Sequence, residues 1–151
     1  IQKRHGPNQS GRTMVDGPVD AVDLEQTEGN RALVRSFVDS VLVDGQLNRL
    51  SNFVDEDAYV EHNPRLGDGV SILRAALEEE EGGQRRIDYR RVHRVLAEGN
   101  FVLSVSEGDY SGAHTAFYDL FRIADGKVVE HWDTTEEVAP RSEWKNDNGK
   151  F

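Results

Sequence analysis

The feature that most constrains this chain is its second half. From Arg86 onward four runs of strand-forming residues follow one another: Ile87 to Leu96, Asn100 to Tyr110, His114 to Ile123 and Lys127 to Thr134. Glu98-Gly99-Asn100, Ser111-Gly112 and Asp125-Gly126 separate them. Connections this short join antiparallel neighbours, so the pattern predicts a four-stranded meander.

Ahead of the meander the periodicity is helical. Thr27, followed by Glu28, is placed to cap a helix whose Leu33, Val34, Phe37, Val38, Val41 and Leu42 form one apolar stripe. Gly45 is a natural stop for it. A short second helix carries Leu47, Leu50, Phe53 and Val54. The strand-like piece Ala58-Tyr59-Val60-Glu61-His62 then ends at Asn63-Pro64. A third helix runs from about Val70 to Glu80, with Ile72, Leu73, Ala76 and Leu77 inward, and stops at Gly82-Gly83. Helices followed by a meander imply an α+β domain, three helices packed on one face of a curved antiparallel sheet. Such a sheet leaves a hollow that a ligand can occupy. Residues 1–26 are rich in Gly, Pro, Gln and Asp and show no periodicity. They are expected to form an extended or disordered arm, free to pack on a partner subunit, with the domain spanning 27–151.

Charge narrows the partners. The net charge of −10 argues against nucleic acid, whose binding relies on clustered Lys and Arg. The basic stretch Arg85, Arg86, Arg90, Arg91 and Arg94 follows directly on Glu78 to Glu81 and reads as a self-compensating surface. No run is long and apolar enough to span a bilayer, and no secretory-type segment opens the sequence, so no membrane partner and a cytoplasmic location are expected. With no cysteine, thiolate chemistry and Cys-ligated zinc are excluded. There is no H-E-x-x-H, G-x-S-x-G or phosphate-binding loop, and neither metal nor cofactor is expected.

Alternation along the third strand places Asp119 on one side with Phe117, Phe121 and Ile123. A carboxylate among apolar groups is costly unless paired or protonated, which makes Asp119 a candidate acid or base. On the fourth strand His131 and Asp133 point to one side with Val129, and Glu130 and Trp132 to the other. A His beside a carboxylate suits proton transfer. His62, beside a proline turn, and Tyr59 could project into the mouth of the hollow. His93 falls on the face of Ile87, Tyr89 and Val95 and reads as a core histidine.

Several segments together resemble the SnoaL-like group of the nuclear-transport-factor-2-like superfamily. They are Asn30 to Gly45, Tyr59 to Pro64, Val92-His93-Arg94-Val95-Leu96-Ala97-Glu98-Gly99 and Asp119-Leu120-Phe121-Arg122. The most specific is Asp125-Gly126-Lys127-Val128-Val129-Glu130-His131-Trp132-Asp133, and Asn146 to Phe151 resembles the family's Asn-x-Asn-x-x-Phe ending. The resemblance implies a cone-shaped barrel, a homodimer, a small organic ligand, and cofactor-independent acid–base chemistry next to a carbonyl, as in polyketide cyclases. Under it the catalytic Asp falls on Asp133 or Asp119, with His131 and His62 as polar partners. Tyr59, Phe117, Phe121, Trp132 and His93 are the expected ligand contacts. Glu61 stands where relatives commonly carry Gln, adding a charge near the expected mouth. Thr134-Thr135-Glu136 replaces an apolar-apolar-Gln run. Two other readings stay open: a ligand-binding domain without turnover, and a hydrolase using a carboxylate-activated water.

Overall fold

A computed structural model describes residues 5–151. The meander forms as the turn signals require. Strands β4 (Ile87–Glu98), β5 (Phe101–Tyr110), β6 (Ala113–Ala124) and β7 (Lys127–Glu137) pair antiparallel in sequence order. At the last turn Asp125 and Gly126 both take positive φ, 49° and 71°, the geometry whose twist matches flanking strands. The strand-like piece before Pro64 contracts to β1 (Val60–Glu61). It adds to the sheet parallel to β7, giving the order β1-β7-β6-β5-β4. The sheet is therefore mixed and open, where a purely antiparallel one was expected. A two-residue hairpin, β2 (Glu80–Glu81) with β3 (Gln84–Arg85), lies between the last helix and β4.

Helix α1 (Thr27–Phe37) continues through a wide π-type turn over Val38–Val43 and stops at Gly45, whose φ of 72° suits glycine. Its stripe is buried as expected, with Val34, Val38 and Val41 wholly enclosed and Phe37 packed edge-on against Phe121. Thr27 is the first helical residue and not the cap. Its hydroxyl instead donates to Leu24 O and accepts from Gly99 N, which ties the helix start to the β4–β5 turn. A single 3-10 turn at Leu47–Arg49 leads into α2 (Leu50–Phe53), and α3 (Val70–Glu78) closes the same face of the sheet. Among the described residues no helix is long and apolar enough to cross a membrane.

Three bulges set which side chains face the helices. On β7, Ile123 opposes Val128 and Arg122 opposes Glu130, so Val129 is an extra residue. Val128, His131 and Asp133 thereby share the inner side, and Val129 drops out of the alternation that was expected to hold it there. On β4, Arg90 and His93 are the extra residues. Tyr89 and Val92 stay buried inside, while His93 turns outward onto Glu107 and the ring of Phe151. On β5 the inner positions carry Val102, Ser104, Ser106 and Gly108.

Residues 5–23 contain no regular helix or strand and lie against the domain's own surface. Asn8 is buried, Trp132 Nε1 donates to Asp16 O, and Val22 N donates to Asn100 Oδ1.

Candidate active site

The concave side of the sheet and the helices enclose a cavity of about 600 Å³. Its inner wall is apolar where Phe37, Leu42, Val54, Leu73, Leu77 and Val128 meet. Along the β6–β7 side the wall turns polar, with Asp119, His131 and Asp133. The fold explains this placement: Asp119 opposes Asp133 and Phe121 opposes His131 across the ladder, so all four point to the same side.

His131 is buried between two carboxylates. Its Nδ1 lies 3.0 Å and 3.1 Å from the oxygens of Glu61, and its Nε2 lies 2.9 Å from Asp119 Oδ1. Burial opposes a charge on the ring, yet Glu61 and then Asp119 more than offset it, holding the imidazole well above its usual range. Glu61 is fully enclosed, not near the mouth as the sequence suggested. Burial would raise its carboxyl, but His131, the Tyr59 hydroxyl at 2.6 Å and Asn63 N at 2.9 Å hold it below the ordinary value. Asp119 accepts, besides His131, a hydroxyl hydrogen from Tyr89 shared between its two oxygens at 3.1 Å and 3.0 Å.

Asp133 stands beside this chain of contacts. One of its oxygens, Oδ2, accepts from Asn63 Nδ2 at 2.7 Å. Burial is the main force on its carboxyl. His131 and the Asn63 bond pull it down, while Asp119 and Glu61 push it up, and the result is a carboxyl raised to about 6. Tyr59 and Tyr89, buried first and then crowded by carboxylates, are both raised well above the ordinary phenol range and remain hydrogen donors at neutral pH.

Asp119, His131 and Asp133 present atoms all within 4.8 Å of one another, the donor types that a divalent cation takes. A metal needs a free nitrogen on a neutral imidazole. Here Nδ1 is taken by Glu61 and Nε2 faces Asp119, so an ion at this set would have to replace the hydrogen on Nε2.

Of the residues expected to line the hollow, Asp119, His131, Asp133, Tyr59, Phe117 and Phe121 do so. Three others do not. His62 and Trp132 lie on the opposite side of β7, stacked at 4.6 Å, where His62 meets Glu130 Oε1 at 2.8 Å and Thr13 O at 2.7 Å. Alternation puts Trp132 there, and the short parallel β1 sends His62 to the side opposite Glu61. His93 is carried outward by its bulge. Sequence reasoning missed Tyr89 and Asn63. Tyr89 shared its expected face with a histidine that the bulge removed, and no local pattern marks Asn63 as the partner of Asp133, 70 residues away.

A family model for the SnoaL-like domain matches residues 34–131, more than half of the chain. The chain belongs to the SnoaL-like family. Solved structures share the architecture at low identity. A candidate ketosteroid isomerase from Kribbella flavida is 17% identical with a TM-score of 0.65, over 83% of this chain and 94% of that one. A candidate SnoaL-like polyketide cyclase from Jannaschia is 18% identical with a TM-score of 0.55, over 79% and 92%. An LEH-like epoxide hydrolase from M. tuberculosis is 18% identical with a TM-score of 0.55, over 74% and 85%. Identities this low carry the fold and not the reaction. No curated protein sequence matches the chain. For this SnoaL-like domain, function has to be argued from the site.

Proposed function

We propose that this SnoaL-like protein catalyses cofactor-independent acid–base chemistry next to a carbonyl, an isomerisation or an aldol-type ring closure, on a small, largely apolar organic substrate. The observation that carries the reading is Asp133. Its carboxyl, raised to about 6, has one oxygen held by Asn63 and lines an otherwise mostly apolar cavity of about 600 Å³. A carboxylate with a pKa near neutrality is strong enough to take a proton from a carbon acidified by a carbonyl and weak enough to return it.

The developing enolate needs a donor. Tyr59 is committed to Glu61 through a short bond of 2.6 Å, whereas Tyr89 shares its hydrogen between two oxygens at 3.0 and 3.1 Å. The more loosely held Tyr89 hydroxyl is the one better able to turn to a substrate oxygen, since Asp119 would keep its contact with His131. His131 does not act as the base in this scheme, because both ring nitrogens already face acceptors. It fixes Asp119 and offsets its charge.

The test is hydrogen exchange from D2O into the α-carbon of a panel of cyclic enones and β-keto esters, followed by proton NMR. The wild-type protein is expected to accelerate exchange, with a rate that rises through pH 6, and Asp133→Asn to lose about 10²–10⁴-fold. Undiminished exchange in Asp133→Asn refutes the assignment. Binding of panel members without exchange in the wild type would instead support a ligand-binding role.

A further inference from the structure

The family match begins at residue 34, so the arm at residues 5–23 lies outside it. The hydrogen bonds of this arm run into the site. Asn8 is buried at 7% exposure, and both ends of its side-chain amide are used. Its Oδ1 accepts from Ser10 N and Arg12 N, both at 3.0 Å, which folds residues 8–12 into a compact turn. Its Nδ2 donates to Glu61 O at 2.7 Å and Asn63 O at 3.3 Å. A second path reaches the same place. Ser10 Oγ accepts from Asp68 N, Arg12 Nη2 pairs with Asp68 Oδ2 at 3.1 Å, and Asp68 Oδ1 accepts from Glu61 N at 2.9 Å. The approach is close, since a Cβ on Gly67 would sit 2.7 Å from Gln9 Cγ.

The backbone of Glu61 is thus gripped at its carbonyl by Asn8 and at its amide through Asp68. β1 itself contributes only two residues of pairing with β7. The side chains of this turn are the ones that matter: Glu61 meets His131, and Asn63 holds Asp133. Met14, further along the same arm, lines the cavity.

From this continuity we infer that the N-terminal arm is a working part of the site. Asn8 is a positioning residue that sets Glu61 and Asn63 against His131 and Asp133. The inference rests on the proposed role of Asp133 for its catalytic meaning, though the coupling itself can be read without any substrate.

The variant is Asn8→Ser in the full chain, which is neutral, keeps a side-chain oxygen able to fold the turn, and is too short to hold the two carbonyls. The readout is the ¹³C carboxyl titration of Asp133 by NMR, with thermal unfolding as the check on folding. The groups facing Asp133 are Asp119 on β6, His131 on β7, Tyr89 on β4, and Tyr59, Glu61 and Asn63 at and beside β1. Loosening Asn63 removes a bond that favours the carboxylate, so the midpoint is expected to rise by about half a pH unit or more. Exchange of the ketone panel is expected to fall at least about tenfold, mainly in kcat. Should Asn8→Ser fail to fold, Ser10→Ala, which is also neutral and cuts only the bond from Asp68 N, is expected to raise the midpoint in the same direction by a smaller amount. A folded variant whose Asp133 midpoint matches wild type overturns the inference. A shifted midpoint in a protein that never exchanges substrate hydrogens keeps the arm's coupling and discards the catalytic reading instead.

Discussion

Replacing Asp133 by Asn should stabilise the protein while removing its proposed base. In the folded state the Asp133 carboxyl sits at about 6, against 3.8 for an unperturbed Asp. Between these two pH values the native state holds a proton that the unfolded chain has released. The contribution of Asp133 to stability therefore falls as pH rises through this window. At 1.36 kcal/mol per pH unit, the gap corresponds to a loss of at most about 3 kcal/mol above pH 6. Asp133 is only partly enclosed, and solvent screening relaxes part of that, so a working range is about 1–3 kcal/mol. The amide that Asp133→Asn introduces mimics the protonated, neutral form, and its carbonyl can still accept from Asn63 Nδ2. The variant escapes the penalty.

Urea unfolding of both proteins at a series of pH values from about 4 to 8 measures the difference directly. The two should be equally stable near the acid end of this range, and the variant should gain steadily to its full advantage by about pH 7. Glu61 and His131 also titrate, but they are present in both proteins and largely cancel in the difference. A gap that does not vary with pH, or a variant less stable than wild type at neutral pH, refutes the claim that burial and the neighbouring acids raise this carboxyl.

Two further outcomes follow from the geometry. Tyr89→Phe should fold normally and slow substrate exchange about 10²–10³-fold, with KM little changed, if its hydroxyl meets the oxyanion; steady-state kinetics on any responsive ketone measures it. Gly108→Ala places a methyl 1.9 Å from Asp88 O, a backbone atom that cannot swing aside, so the thermal unfolding midpoint should drop by at least about 4 °C.

Much of the architecture was legible because turn chemistry and apolar periodicity are local. Ser111-Gly112 and Asp125-Gly126 fixed the hairpins, and the α1 stripe named its own buried residues. Alternation on β6 also placed Asp119 inward correctly. The bulges at Val129, Arg90 and His93 could not be read. A bulge costs one residue of register and leaves no compositional mark here, yet it moves every later side chain to the other side. His93 was lost from the inner face in this way, and Tyr89 was overlooked as a partner of Asp119. The arm was opaque for a different reason. Its order comes from Asn8, Ser10 and Arg12 meeting residues more than fifty positions away, and a segment rich in Gly and Asp carries no periodic signal of such contacts.

Under the proposed scheme a histidine beside an aspartate is not the base. His131 looks the more suitable group by its ordinary pKa, but its surroundings decide otherwise. With Glu61 on one nitrogen and Asp119 on the other, the ring is most stable carrying both hydrogens, and an imidazolium has no lone pair to offer. Its positive charge does something else. Carboxyls crowd this end of the cavity, and without His131 the burial of Asp133 beside Asp119 and Glu61 would drive its carboxyl higher still. The imidazolium pulls it back to about 6, where it can be ionised at neutral pH and still accept a proton. In the proposed scheme the base is set by the group that cannot itself serve as one.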